Sequence, residues 1–400
     1  MTDSSQAGRR LITKAQTLAA RWAGVSILML ATGVGACSSP APTPAPTPTP
    51  APTATPAPSA PFPPPVTTRT VAVPASVDST GATDASSAMQ SFLSGVPDGS
   101  VIAFRAGGVY LLSRGISLQN RHNLVFEGNG ATLRAGGSSV SMWADPFVTW
   151  ASAASVTDIV IRDFTIQGDN PNSGSAIYDP SQEVQHGIGV YGGSRIEIAH
   201  NTIRNTWADG VYAANGSTQD WVSGLWVHDN TFTSIGRNAF TMNAVRGALL
   251  ERNSIDRVGG SVMDIEPDAD YQGAAGVTLR GNTVGSWGLS PVTTMHFVAC
   301  ANQTSALGAS VHDLTISGNT VTAGSPGSAN NVNSPGLYTW IGRPARMSNI
   351  VFTGNTTTRS GAGPALLFGN IDGLTVTGNA QPLASGQLLS ITNSTGVVTQ

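Results

Sequence analysis

The stretch IEIAHNTI (196–203) decides the fold, because its pattern returns six more times along the chain. The later copies are LWVHDNTF (225–232), ALLERNSI (248–255), VTLRGNTV (277–284), LTISGNTV (314–321), IVFTGNTT (350–357) and LTVTGNAQ (374–381). Each copy alternates apolar and polar residues and then reaches an Asn, and these asparagines lie 29, 23, 29, 37, 36 and 24 residues apart. A strand-and-turn unit repeated at such spacing predicts a β-solenoid.

The position of the asparagines favours one kind of solenoid. Alternating apolar residues point into a core, whereas the Asn falls at a turn, where stacked Asn side chains can bond from coil to coil. This pattern resembles the right-handed parallel β-helix of pectin-degrading enzymes and phage tailspikes. GATDA (81–85), an apolar helix and VPDGSVIAFRAGGVYLL (96–112) resemble the N-terminal cap of the pectate-lyase-like superfamily. The resemblance implies an all-β fold over 69–400, a single-stranded right-handed parallel β-helix with a short capping helix. A β-propeller or a sandwich does not explain one Asn per coil.

The composition agrees with a turn-rich β protein and excludes some functions. The chain has 46 glycines but only 43 residues of Asp, Glu, Lys and Arg among 400. Its formal net charge of -3 offers no basic field for nucleic acid. Lys14 is the only lysine of the chain. If processing removes the N-terminal segment, chemistry that needs a lysine is excluded.

The N-terminus predicts export. Residues 1–22 are basic, and residues 23–36 form an apolar run that is too short to span a bilayer comfortably. The run ends in Val34-Gly35-Ala36-Cys37, which resembles a bacterial lipobox. We therefore expect a lipoprotein-type signal over 1–37 with Cys37 lipidated; a plain secretory signal is the alternative. Residues 38–68 are a disordered Pro/Thr/Ala-rich linker, with 13 prolines in 38–65.

These features together predict a monomeric lipoprotein at the bacterial cell surface, which touches the membrane through its lipid anchor only. Because Cys300 would be the one other cysteine, we expect it to be a buried free thiol.

Four consecutive segments can be aligned to find the outward face of the coils. They are HGIGVYG (186–192), DGVYAAN (209–215), NAFTMNA (238–244) and SVMDIEPD (261–268). In each segment every second residue is apolar and points inward, so the residues between them point outward and form two columns across the coils. The first column is Gly189, Tyr212, Thr241 and Asp264. Two later segments extend it: TTMHFVAC (293–300) adds His296, and LYTWIG (337–342) adds Tyr338 and Trp340. The second column is Tyr191, Ala214, Asn243 and Glu266.

This face predicts a site for a polysaccharide. Tyr and Trp stack on sugar rings, and carboxylates bind hydroxyl groups or move protons. The predicted catalytic residues are Asp264, Glu266, Asp209 and Arg237. The predicted substrate-binding residues are Tyr191, Tyr212, Thr241, Asn243, Asp268, His296, Trp207 and His186. Asp264 and Glu266 lie two residues apart on one strand, a separation that suits the acid and base of an inverting glycoside hydrolase.

A local resemblance sharpens this prediction. Arg237 and Asp264-Ile265-Glu266-Pro267 resemble a group of bacterial β-helix proteins that carry an Arg-containing turn followed by G-I-D-I-E-P; the second Arg common in that turn is Gly236 here. The polygalacturonase motifs are not present as a set, and Gln185-His186-Gly187 only partly matches one of them.

Other functions stay open at this point. Pectate lyases use calcium and an Arg base, so Arg237 could serve β-elimination, with Ca²⁺ as an open cofactor and no other cofactor or metal expected. Epimerisation, a non-catalytic glycan-binding or adhesive module, and a structural spacer are the remaining alternatives.

Overall fold

The computed structural model describes residues 60–136, 147–150, 156–171, 185–217, 219–290, 295–300, 309–324, 336–359, 365–381 and 389–399. All of them fall in one compact unit, Ala60–Gln400. The predicted signal over 1–37, Cys37 and the linker up to residue 59 lie outside the described residues. None of the helices in the described ranges combines the length and apolar character that a membrane crossing needs.

The described part of the chain forms one α-helix, α1 (Ser86–Gly95), and short strands that follow one another along the sequence. The strands are β1 (Arg69–Ala72), β2 (Thr80–Asp84), β3 (Ser100–Ala103), β4 (Val109–Leu112), β5 (Ile116–Gln119), β6 (His122–Glu127), β7 (Thr132–Ala135), β8 (Phe147–Trp150), β9 (Thr157–Arg162), β10 (Thr165–Gln167), β11 (Ile188–Tyr191), β12 (Ser194–Ala199), β13 (Thr202–Thr206), β14 (Val211–Ala214), β15 (Val222–His228), β16 (Thr231–Ile235), β17 (Phe240–Met242), β18 (Ala244–Glu251), β19 (Ser254–Val258), β20 (Met263–Ile265), β21 (Gly273–Arg280), β22 (Thr283–Ser286), β23 (Val298–Cys300), β24 (Ser310–Ser317), β25 (Thr320–Gly324), β26 (Thr339–Thr353), β27 (Thr356–Thr357), β28 (Leu366–Thr377), β29 (Leu389–Thr392) and β30 (Thr395–Thr399).

The strands pair in parallel and form three faces of a solenoid. The ten-stranded sheet runs in the order β2-β4-β7-β10-β13-β16-β19-β22-β25-β27. The larger sheet contains the other two faces. We name one of them the site face, which comprises β5, β8, β11, β14, β17, β20, β23, 339–342 of β26, 366–369 of β28, and β29. The other is the back face, which comprises β1, β3, β6, β9, β12, β15, β18, β21, β24, the later halves of β26 and β28, and β30.

The core lies inside the coils, where the apolar parity of each strand points. Val211, Phe240 and Met263 are neighbours on consecutive coils and are buried completely. Such β-branched and large apolar side chains suit a pleated surface that is buried on one side. The inward parity predicted from the four aligned segments is therefore confirmed.

A ladder of asparagines runs along one corner of the solenoid. Asn230 Oδ1 accepts hydrogen bonds from the backbone N–H (2.9 Å) and the side-chain amide (3.1 Å) of Asn201, one coil before it. The same pair of bonds recurs at each step as far as Asn379. This ladder confirms the coil-to-coil bonding expected from the sequence and satisfies polar groups that would be costly to bury alone.

Helix α1 covers the first coil, as the sequence predicts. It buries Met89 and Leu93 against the core. Asp84 holds its first turn, because its carboxylate accepts hydrogen bonds from the Ser86 backbone N–H (3.0 Å) and the Ser113 hydroxyl (2.5 Å). A solenoid needs such a cap because its first coil would otherwise expose a strand edge and the core.

Candidate active site

The strand register brings most of the predicted outward column together. Gly189 pairs with Tyr212, Tyr212 with Thr241, and Thr241 with Asp264 on consecutive coils. Asp264 then pairs with Ala299, and Ala299 with Trp340. The alignment of the first four segments and the place of Trp340 are therefore confirmed.

The predicted position of His296 beside Asp264 is wrong. Asp264 pairs with Ala299, and the His296 backbone N–H donates to Ser261 Oγ (3.3 Å). His296 therefore lies beside Ser261, three positions before the partner of Asp264. The error arises because residues 297–300 are all buried, and a continuous apolar run does not reveal which parity faces inward. His296 is buried and stacks on Tyr338, with ring centroids 4.7 Å apart.

Thr241 and Asn243 are not exposed, contrary to the prediction. They are 0% and 1% exposed. Thr241 Oγ1 accepts a hydrogen bond from the Asn238 side chain (3.1 Å), and the Asn243 side-chain amide donates to Asp268 Oδ2 (2.9 Å). Both side chains therefore support the site from within the protein, because they are hydrogen-bonded to its other residues and closed to solvent.

An arginine bridges two of the predicted catalytic acids. Arg237 Nη2 is paired with Glu266 Oε2, and Arg237 Nε lies 3.7 Å from Asp209 Oδ1. Asp209 is buried completely, whereas the Glu266 side chain is 27% exposed. Glu266 is therefore open to a ligand, while Asp209 and Arg237 form a charged layer behind it.

His186 and Asn238 fix Asp209 in this layer. The Asp209 backbone N–H donates to His186 Nδ1 (3.3 Å), and Asp209 Oδ1 accepts a hydrogen bond from the Asn238 backbone N–H (2.9 Å). The His186 ring stacks on Tyr212 at 4.3 Å. Burial, together with the nearby charge of Arg237, lowers the pKa of His186 well below its ordinary value, so this imidazole is neutral.

The acids of the cluster hold protons more tightly than ordinary carboxyls. Burial raises the pKa of Asp264 to about 6 and that of Glu266 to about 8, although Arg237 opposes the shift. The charge of Asp264 also raises the pKa of Glu266, and the charges of Asp268 and Asp209 raise the pKa of both carboxyls. Burial raises the pKa of Asp209 as well. A proton donor and an ionised carboxylate can therefore coexist near neutral pH.

Aromatic side chains flank the acids along the axis of the solenoid. Tyr191 lies 5.8 Å from Tyr212 on one side, measured between ring centroids. On the other side Trp340 is 40% exposed, with the His296 ring 5.8 Å away. These groups form a row that crosses the coils with the acid cluster between its two ends.

The predicted role of Trp207 gains no support from its contacts. Its indole N–H donates to Asp169 Oδ1 (2.8 Å) on the preceding coil. Trp287, which lies between β22 and β23, is buried in the core. Asn238 is a residue that sequence reasoning missed, although it occupies the same register position as His186 and Asp209.

Among the described residues, no three acids of the cluster have converging ligand atoms. Within the described ranges, the only three His, Cys, Asp or Glu residues with converging ligand atoms are His200, His228 and Asp229, at the corner after the back-face strands β12 and β15. A calcium ion takes six to eight oxygen ligands. Cys300 is a buried free thiol, as predicted, and burial raises its pKa to about 12.

Comparisons with known proteins agree with this fold. The family described as "Right handed beta helix region" matches residues 185–380. The structure of the family 28 exopolygalacturonase of Yersinia enterocolitica is similar, with a TM-score of 0.50 and 11% identity over 83% of this chain and 78% of that chain. The chain is thus a right-handed parallel β-helix protein.

Two further solved structures are less similar. The alginate lyase from Paenibacillus has a TM-score of 0.42 and 13% identity, over 82% of this chain and 99% of that one. The surface adhesin PfbA of Streptococcus pneumoniae has a TM-score of 0.41 and 11% identity, over 82% and 92%. A search of curated proteins found no match.

Proposed function

We propose that this protein is an enzyme that hydrolyses a polysaccharide bound across the site face. One observation carries the proposal: Asp264 on β20 and Glu266, which directly follows that strand, lie two residues apart, with Arg237 and Asp209 buried behind them. Residues two apart on a strand have Cα atoms about 6.6–6.8 Å apart. From Cα atoms at that distance, the two side chains can span the roughly 6.5–9.5 Å that separates the carboxyl groups of an inverting glycoside hydrolase and admits a water molecule.

The difference in pKa assigns the two roles. Glu266, with its pKa raised to about 8, keeps its proton near neutral pH and acts as the general acid on the leaving oxygen. Asp264, with its pKa raised to about 6, is ionised there and acts as the general base on water. Arg237 and Asp209 position Glu266 and set the local charge.

Two amide substitutions test this chemistry. We expect Asp264→Asn and Glu266→Gln each to lower turnover by roughly 10²–10⁴, because each removes one proton-transfer step. Mass spectra of products from a polysaccharide panel give the readout, since hydrolysis adds one water to each cut. Asp220→Asn, which removes an exposed carboxyl outside the cluster, is the control. Full activity in both cluster variants would contradict the proposal.

The same spectra separate the alternatives. Unsaturated fragments would indicate elimination with Arg237 as base, although its pairing with Glu266 favours the protonated guanidinium. Binding without products would indicate a glycan-binding module. One observation favours that module: Arg237 Nη2 already contacts Glu266 Oε2 in the free protein. Epimerisation leaves mass unchanged and needs analysis of sugar composition.

We also propose that the protein works outside the cell. A lipid on Cys37 and the proline-rich linker 38–68 would hold the solenoid at the cell surface as a monomer. Polysaccharides are abundant there, so this location fits the proposed substrate.

A further inference from the structure

We infer that the bound polysaccharide is electrically neutral, and not a polyuronate. This inference rests on the proposed function in that it concerns the same face. It depends on three observations: the site-face strands contain no arginine, acids outnumber arginine at the site, and aromatic side chains flank those acids.

The positive charge of the solenoid lies outside the strands of the site face. After residue 60 the chain has no lysine, and all sixteen of its arginines lie within the described residues. None of the site-face strands contains an arginine. Arg237, just before β17, is paired with Glu266, and Arg343, just after 339–342 of β26, is 2% exposed.

The other arginines serve other parts of the molecule. On the back face, Arg252 and Arg280 pair with Glu251, and Arg195 pairs with Asp158. Arg257 belongs to β19 in the ten-stranded sheet. Arg246, 5.0 Å from the Trp221 ring centroid, lies on the back-face strand β18. The arginines that might have gathered to bind an anionic sugar are therefore spread over three faces.

Acids outnumber the one arginine at the site itself. The charges of Asp209 and Asp268 raise the pKa of both Asp264 and Glu266, and Arg237 is the one cation that lowers it. A polyuronate carries one carboxylate on every sugar, and each would meet this negative field in a partly buried setting. Like charges repel strongly where water is largely excluded. A neutral polymer meets no such cost.

Trp340 provides a surface that binds sugar without charge. It lies two coil steps from Asp264, about 9.6 Å at 4.8 Å per step. Ala299, the residue between them, has a small side chain and is 4% exposed, so it places no bulky group between the acids and the indole. Exposed aromatic rings bind the apolar face of a sugar by contact.

Affinity electrophoresis of the full-length protein tests the inference. The gels contain a neutral glucan, mannan or xylan, or else polygalacturonate or alginate, each with Ca²⁺ and with a chelator. We expect retardation by at least one neutral polymer and by neither polyuronate, whether or not Ca²⁺ is present. Trp340→Ala should weaken that retardation at least tenfold, while Tyr271→Ala, which removes an exposed aromatic outside the column, should not.

Three results would overturn the inference: stronger retardation by a polyuronate, none by any neutral polymer, or wild-type affinity in Trp340→Ala. Leu367→Arg supplies a gain-of-function check, since Leu367 is half-buried and adjoins Trp340 in the column. If charge is what excludes polyuronates, this variant should bind them better than the wild type.

The failure of the inference can be told from the failure of the proposed function. Cleavage of a polyuronate that Glu266→Gln abolishes would overturn neutrality and keep the hydrolase. Neutral binding that depends on Trp340, with cleavage unaffected by Asp264→Asn and Glu266→Gln, would do the reverse.

Discussion

Asp264 and Glu266 differ from surface acids because they titrate against each other and against a buried arginine. The parity of the strand predicted that both would lie on the outward side, and the register confirms this for Asp264. Parity did not predict burial, since Thr241 and Asn243 lie on that outward side and are still buried. The alternation of apolar and polar residues shows on which side of a strand a residue lies. It does not show whether residues from elsewhere in the chain bury that side.

The raised pKa of Glu266 predicts a measurable dependence of stability on pH. Its pKa rises from the ordinary glutamate value of 4.5 to about 8 in the folded protein. Between these values the folded state holds a proton that the unfolded chain releases, so stability falls as pH rises through this window. Glu266→Gln removes that loss. We expect its thermal midpoint to exceed the wild-type value by about 2 °C or more at pH 9.

The comparison at low pH provides the control for this prediction. Near pH 4 the carboxyl is largely protonated in both states, so the two midpoints should converge. Asp220→Asn, in an exposed position, should match the wild type throughout. A lower midpoint for Glu266→Gln at pH 9 would mean that the ion pair with Arg237 outweighs the burial of the carboxylate.

At the scale of the element, the length of the connections explains which predictions succeeded. The coils joined by steps of 23 and 29 residues align correctly from the sequence, because little more than one coil separates their strands. The step from β20 to β23 has 35 residues and ends in the buried run 297–300, so the alignment of His296 across it is wrong. Gly236 replaces the second arginine of the resembling group because a Cβ there would lie 2.2 Å from the Trp207 carbonyl oxygen.

The asparagine ladder should be a major source of stability. Asn253 accepts hydrogen bonds from the backbone and side-chain amides of Asn230, and it donates to the Val227 carbonyl oxygen (3.0 Å). Asn253→Ala removes the acceptor of the buried Asn230 backbone N–H and the donor to the Val227 carbonyl, at a cost of about 1–3 kcal/mol for each group left unsatisfied. We expect a loss of about 3 kcal/mol or more in the free energy of unfolding, measured by denaturant titration.

Ser254→Ala is the matched control for the ladder. Ser254 is exposed and directly follows Asn253, so its loss should change stability by less than about 0.5 kcal/mol. Equal stability of the two variants would show that ordered water replaces the Asn side chain and that packing alone maintains the coils.

The whole molecule presents its candidate site as a row across consecutive coils. The sequence predicted the solenoid because every coil repeats the same strand, Asn and turn. It predicted the position of the row for the same reason, whereas the neutral character of the row depends on where distant arginines lie. Tyr191 on β11 and Trp340 on β26 are five coil steps apart, or about 24 Å at 4.8 Å per step.

A site of this length predicts that the rate depends on the length of the substrate. We expect kcat/KM to rise with the number of sugars in an oligosaccharide series until the chain spans about 24 Å, because each added sugar reaches a further contact. Trp340→Ala should remove the gain from the longest oligosaccharides and leave the shortest cleavable one unaffected. Tyr271→Ala, outside the row, should keep the wild-type dependence. If the shortest oligosaccharide is cleaved as efficiently as the polymer, the reaction uses the acid cluster alone, and the aromatic side chains of the row have no part in binding substrate.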